Sequence, residues 1–202
     1  MKIFCVGRNY AAHAKELEND IPDRPLIFMK PPTAVLHKER DFFIPEFSKN
    51  IHYEGELVLR IGKNGRAVQK KFATSYISHI TVGLDFTARD LQDELKAKGH
   101  PWEIAKGFDN SAVLGEWQEY EPYGNGPIQF QLLKNKELVQ SGDSSLLLFP
   151  FDELICYISS FFTLQNGDCI YTGTPAGVGP VAAGDLLEGV LMGKSVMTCK
   201  IR

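Results

Sequence analysis

Apolar side chains recur along the chain at two spacings, and the change from one to the other marks out the elements. Alternation every second residue, or a short apolar run between turn formers, predicts a strand; apolar positions three and four apart predict a helix. Residues 2–6 read as a strand stopped by Gly7, and 26–30 (LIFMK) as a second, stopped by Pro31-Pro32. IHYEGELVLRIG (51–62) is strand-like up to the turn-forming run Gly62-Lys63-Asn64-Gly65, and HITVGLDF (79–86) follows it. IQFQLLKN and KELVQSGD alternate about a turn near Asn135-Lys136, which predicts a hairpin, and two further strands lie around LLEGVL and SVMTCKI. Helices are predicted at 11–19, at 71–78, at 88–99 with a glycine stop, and at 151–164, where Leu154, Ile158 and Phe161 have helical spacing. Strands dominate and do not alternate regularly with helices, so the expected class is a β-rich α+β fold forming one domain over residues 1–202.

Composition narrows the field. With 202 residues, 44% of them hydrophobic and 13 of them Phe, the chain can bury a sizeable core. A net charge of −3 with scattered Lys and Arg gives no reason to expect a nucleic-acid partner. No apolar run is long enough to span a membrane, and MKIFCVGRNY turns polar too soon for a signal peptide. Cys5, Cys156, Cys169 and Cys199 form no CxxC pair and sit in apolar runs, so four buried free thiols are expected, in a reducing compartment. The expectation is a cytoplasmic protein with neither membrane nor nucleic acid as partner.

Four stretches carry candidate chemistry. Glu54 and Glu56 stand two apart on a predicted strand and so share a face, where they repel unless something positive lies between them. Asp85 ends the strand GLDF; three carboxylates without a neighbouring Cys make an oxygen-rich site suited to Mg²⁺ or Mn²⁺. The plainer alternative is a solvated strand face, and the choice turns on whether the two strands are neighbours. In GRNYAAHAKE, His13 and Glu16 share a helix face, either as an exposed pair or as a carboxylate that orients an imidazole to activate water. Lys106, amid apolar neighbours in WEIAKGFD, either snorkels to solvent or holds a substrate's negative charge. YTGTPAGVGP lacks the GK[ST] ending of a P-loop; it is a structural turn, or a loop where a ligand oxygen approaches the backbone and the Thr172 or Thr174 hydroxyl.

Taken in order, GRNYAAHAKE, FMKPPTA, IHYEGEL, GLDFTARDLQ, PW…AKGFD and TGTPAGVGP resemble the fumarylacetoacetate hydrolase family, from near residue 4 to near residue 200. Within it, the chain is most similar to the short single-domain branch that includes acylpyruvases and oxaloacetate decarboxylases. The resemblance implies a mixed β-sheet roll of the family's C-terminal-domain type with a few short helices, paired as a homodimer. It implies that Glu54, Glu56 and Asp85 hold Mg²⁺ or Mn²⁺, with His52 as the motif's histidine. His13 and Glu16 become a general-base pair on a segment that orders over ligand, Lys106 the catalytic lysine, and Arg89, Gln92 and Thr174 substrate contacts. Gly55 stands between the two glutamates where bulkier residues also occur. The implied activity is cleavage of a C–C bond in a small β-diketo or 2-oxo acid, an acylpyruvate or oxaloacetate, through a pyruvate enolate. Two rivals stand beside it: an isomerase or decarboxylase of 2-hydroxydienedioate-type compounds, and a metal-stabilised binding protein without catalysis.

Overall fold

The structure, a computed structural model, describes residues 1–202 except 17–20, 39 and 125, and omits the side chains of 13–15. In chain order the strands are β1 (Ile3–Gly7), β2 (Leu26–Lys30), β3 (Ile51–Tyr53), β4 (Gly55–Ile61), β5 (Ile77–Asp85), β6 (Thr87–Ala88), β7 (Ala112–Leu114), β8 (Gln118–Glu119), β9 (Gln129–Lys134), β10 (Glu137–Asp143), β11 (Cys169–Tyr171), β12 (Gly179–Pro180), β13 (Leu186–Leu191) and β14 (Lys194–Lys200). The helices are α1 (Ala11–Glu16), α2 (Lys70–Ala73), α3 (Arg89–Lys98), α4 (Glu103–Lys106) and α5 (Phe151–Phe161).

The largest sheet runs β2-β1-β11-β4-β5-β7, with β8 also on β5; its pairings are antiparallel except β1 with β11. A second sheet runs β10-β9-β13-β14 and a small third one β12-β3-β6. Alternation along β4 explains the layers: Leu57, Leu59 and Ile61 enter a core with Phe4, Ile80 and the α5 residues Leu154 and Ile158. Val58 turns to the opposite face, against Ile3, Cys5 and Tyr171. A third cluster joins Leu84 and Val113 of the large sheet to Leu132, Leu187 and Met197 of the four-stranded one. The predicted hairpin forms as β9–β10, with Asn135 and Lys136 both at positive φ (54° and 71°), the twist that two-residue hairpin turns require.

Several boundaries depart from the pattern. The expected strand 51–62 is broken at Glu54, because the chain changes sheets there: β4 pairs with β5 up to Gly55–Leu84, whereas β3 pairs with β6. The expected helix 71–78 is one turn of α2 and a 3₁₀ turn over Thr74–Tyr76, since Ile77 already enters the β5 ladder. In α5, Leu154 and Ile158 are buried as expected, but Phe161 in the last turn is 59% exposed and meets only the edge of Tyr157 among described aromatic rings. Cys5, Cys169 and Cys199 are buried free thiols, but Cys156, on α5, is only half-buried against the core. α1 matches the start of the expected helix 11–19; positions 17–19 lie outside the described residues. Among the described residues no helix is long and apolar enough to cross a membrane.

Candidate metal and substrate site

The place where the chain changes sheets is also where the carboxylates meet. Glu54 O accepts from Asp85 N at 2.9 Å, which locks the end of β5 to the gap between β3 and β4. Glu54, Glu56 and Asp85 each offer an oxygen within 4.8 Å of the others, and all three side chains are buried. The two strands are therefore neighbours, and the solvated-face reading of these acids is excluded.

Three cations answer the three carboxylates. Lys106, delivered by α4 and 3% exposed, places Nζ 2.7 Å from Glu54 Oε2, 2.8 Å from Asp85 Oδ2 and 2.6 Å from Thr87 Oγ1. It does not snorkel. Arg89 opens α3 and donates to Glu54 Oε1 and Gln92 Oε1, both at 2.5 Å. Lys30, at the end of β2, lies 2.8 Å from Asp85 Oδ1 and donates to Ser111 Oγ (2.9 Å), Ser111 O (3.2 Å), Phe86 O (3.4 Å) and Lys106 O. Burial alone would push the Lys106 ammonium down, but Asp85 and then Glu54 beside it carry the net shift up, so it stays charged. Glu56 goes the other way: burial first, then Asp85 and Glu54, raise its carboxyl well above the ordinary range despite the Gly173 N–H bonded to it.

That crowding tests whether a metal suits the site. Asp85 Oδ1 has a charged neighbour in Lys30 but no hydrogen-bond donor in good geometry among the described residues. Glu56 sits against two other acids, and among the described residues its hydrogen-bond donor is the Gly173 N–H on Oε2. An all-oxygen, converging set with spare lone pairs fits a hard divalent ion. The cations already present offset the acids in its absence, which answers why three carboxylates can be buried together.

The glycine loop is zipped onto β4. Thr172 Oγ1 donates to Leu57 O (2.9 Å), Gly173 N to Glu56 Oε2 (2.6 Å) and Thr174 Oγ1 to Gly55 O (2.8 Å). Gly173 holds φ +107°, and a Cβ there would sit 2.7 Å from Asn9 Cβ, so glycine is needed to aim that N–H at Glu56. The loop's donors thus serve first to orient the converging acids, and the Thr172 hydroxyl is committed to the backbone. Gly177 N donates to Glu16 Oε1 at 3.0 Å, which brings the end of α1 onto the loop. The described backbone of α1 includes His13, whose side chain lies outside the described residues. His52 turns its Nδ1 towards Arg89 Nε (3.5 Å) and its Nε2 towards Asn50 Oδ1 (3.0 Å); burial and then the neighbouring guanidinium hold its pKa down, so the neutral ring carries its proton on Nε2.

Of the residues singled out from the sequence, Glu54, Glu56, Asp85, Arg89, Gln92, Lys106 and Thr174 line one cavity with about 30 Å³ of free space, room for an ion or a water. Two supporting residues escaped the pattern. Lys30 shares a strand face with Phe28, and the signal was a lysine at an inward position before Pro31. Gln140, 1% exposed, accepts from Gly55 N (2.8 Å) and donates to Thr174 Oγ1 (2.8 Å) and Pro175 O (2.9 Å), tying the strand that bears the acids to the glycine loop. A bulge between Leu138 and Gln140 shifts the strand's alternation, leaving Leu138 56% exposed and turning Gln140 inward.

A β-roll with a hard-cation ligand set at a sheet junction, ringed by basic side chains, is an architecture for handling small anions. Residues 2–202 match the fumarylacetoacetate (FAA) hydrolase C-terminal family. The bovine mitochondrial oxaloacetate tautomerase FAHD1 is 39% identical over 200 residues, covering 98% of this chain and 90% of its own. The crystal structure of fumarylpyruvate hydrolase from Pseudomonas aeruginosa in complex with Mn²⁺ and pyruvate superposes with a TM-score of 0.93 at 37% identity, over 100% of this chain and 89% of that one. The 5-carboxymethyl-2-hydroxymuconate delta-isomerase of Mycobacterium smegmatis superposes with a TM-score of 0.86 at 34% identity, over 99% of this chain and 78% of that one. The chain belongs to the fumarylacetoacetate hydrolase family, with the expected mixed β-roll, and its named relatives are enzymes.

Proposed function

We propose that this protein is a divalent-metal-dependent enzyme that cleaves a C–C bond in small β-diketo or 2-oxo acids such as acylpyruvates and oxaloacetate. The observation that carries this is the convergence of Glu54, Glu56 and Asp85 within 4.8 Å beside a buried, charged Lys106. Mg²⁺ or Mn²⁺ held by those three acids would supply Lewis-acid polarisation of a 2-oxo carboxylate. Arg89 and Gln92 orient the substrate from α3, and Thr174 meets it from the glycine loop.

Breaking the bond beyond C3 leaves its electron pair as pyruvate enolate, and the Lys106 ammonium is placed to offset that charge in a site shielded from water. With an acylpyruvate, His13 takes a proton from water while Glu16 orients the ring; the hydroxide adds to the distal carbonyl, and the enolate takes a proton at C3 to give pyruvate and a carboxylate. With oxaloacetate, C4 leaves as CO₂ and no water nucleophile is needed.

A second reading is favoured by the bovine relative's name: keto–enol tautomerisation of oxaloacetate, in which a proton moves between C3 and the 2-oxygen and no C–C bond breaks. One assay separates the two. Acetylpyruvate and oxaloacetate, with Mg²⁺ or Mn²⁺, should release pyruvate faster than the metal alone releases it; loss of enol absorbance without pyruvate decides for the tautomerase. A 2-hydroxydienedioate in parallel tests the isomerase, and no turnover of any of these would leave the reading without support. The resemblance also leads us to propose a homodimer, which sedimentation equilibrium reads directly.

A further inference from the structure

Four cations line the cavity against its three carboxylates, and they fall into two pairs. Lys106 and Arg89 are committed to Glu54 and Asp85. Arg8 and Lys96 are not. Both are half-buried, both line the cavity, and neither has a hydrogen bond or an ion pair among the described residues.

Each is placed with some care. Arg8 follows β1 at φ 56°, a left-handed conformation that costs a non-glycine residue energy and is kept where surrounding structure requires it. Lys96 lies on the same face of α3 as Arg89 and Gln92, seven and four residues after them, with its ammonium 5.8 Å from the centre of the Trp102 ring. Burial and then the like charge of Arg89 press the Lys96 pKa down, with Arg8 adding a smaller part; Asp93 and Glu54 oppose them without reversing the shift. A divalent ion on the three acids would add to the positive excess. Arg8 also lines an outer groove of about 470 Å³ with Arg24, Pro25 and Tyr157, so it stands between the inner cavity and open space.

We propose that Arg8 and Lys96 receive a second carboxylate at the far end of the substrate, so that the site selects 2-oxo acids bearing two carboxylates over mono-anionic acylpyruvates. This rests on the 2-oxo acid reading above and specifies its substrate class. The chelating end of the ligand would lie at the ion that the three acids would hold, and its distal end takes charge-assisted hydrogen bonds from a guanidinium and an ammonium that have no hydrogen-bond acceptor among the described residues.

Oxalylglycine and oxamate share a chelating end, and only the former carries a second carboxylate; neither offers the bond to be broken. In calorimetry with Mg²⁺, the parent should bind oxalylglycine at least roughly tenfold more tightly than oxamate, the scale of one charge-assisted contact. Arg8→Gln and Lys96→Gln should each remove most of that preference and leave oxamate affinity nearly unchanged. Arg8→Lys and Lys96→Arg should keep part of it, which a merely structural role would not produce. Arg8→Gln adds no new strain at the positive φ, and Lys96 lies on a helix face, so both variants should fold. Equal affinity for the two ligands in the parent, or an undiminished preference in both glutamine variants, overturns the assignment while leaving the 2-oxo acid site standing. Binding of neither ligand by the parent overturns both.

Discussion

Lys30 illustrates how a single buried side chain can govern a site. Its Nζ is fully enclosed 2.8 Å from Asp85 Oδ1, and removing one partner of such a pair strands the other charge. Lys30→Met should therefore destabilise the metal-free protein by about 3–5 kcal/mol. Added Mg²⁺ or Mn²⁺ should recover a larger share of the melting temperature in the variant than in the parent, because a divalent charge offsets Asp85. Thermal unfolding in EDTA and in metal checks both parts; an unchanged melting temperature in EDTA would count against the pairing. The cysteines make a second prediction at this scale. Burial pushes the Cys169 and Cys199 thiols up to about 12, so at pH 8 they are almost wholly protonated as well as shielded. Half-buried Cys156 should react first with a thiol reagent in the native protein, and the buried Cys5, Cys169 and Cys199 only after unfolding. Peptide mapping after brief alkylation reads the order.

Among the elements, α1 depends on tertiary contacts for its stability. It spans six residues with no acidic group in its first turn, too short to be stable without tertiary contacts. One described contact is the Gly177 N–H donated to Glu16 Oε1, and glycine is needed there because a Cβ at φ +100° would run into Val139 O. The proposed role of this segment as a cover predicts that oxalate with Mg²⁺ slows hydrogen exchange at the amides of residues 10–16. Glu16→Ala should speed exchange at the Gly177 amide in the ligand-free protein. Exchange that is equally slow in all three states would remove the idea of a mobile cover.

For the molecule as a whole, the proposed metal binding would be linked to stability. An ion that binds the folded chain alone stabilises it by about 2.7 kcal/mol at one hundred times its dissociation constant. Chelation should abolish activity and lower the melting temperature together, and Mg²⁺ or Mn²⁺ should restore both. Glu54→Gln and Asp85→Asn should lose that metal-dependent rise, and calorimetry showing parental Mg²⁺ affinity in either would reassign the ligands. Glu56→Gln should lower every reaction of the site. It should also remove a carboxyl whose pKa is raised by burial and then by Asp85 and Glu54, so the metal-free variant should lose less stability than the parent as pH rises through that raised value.

What the sequence determined by itself is what neighbours along the chain decide. The Asn135-Lys136 turn, the polar face of α3, the glycine stop at Gly99 and the alternation of β4 follow from backbone preference and side-chain spacing. The acids Glu54, Glu56 and Asp85 were legible as candidates because their residue types and spacing suit a hard cation, and the ordered stretches around them carry the family resemblance. The break at Glu54 was not legible, because a strand that feeds two sheets has the same local pattern as one that stays in a single sheet. Nor were the roles of Lys30, Gln140, Arg8 and Lys96. A β-bulge turned Gln140 inward, and Lys30 became a site residue only because β2 ends beside Asp85. Whether a lysine is paired, as Lys106 is, or left facing a cavity, as Lys96 is, depends on which carboxylates the fold brings within about 3–4 Å. That is set by contacts between segments far apart in the chain, and only the tertiary structure decides it.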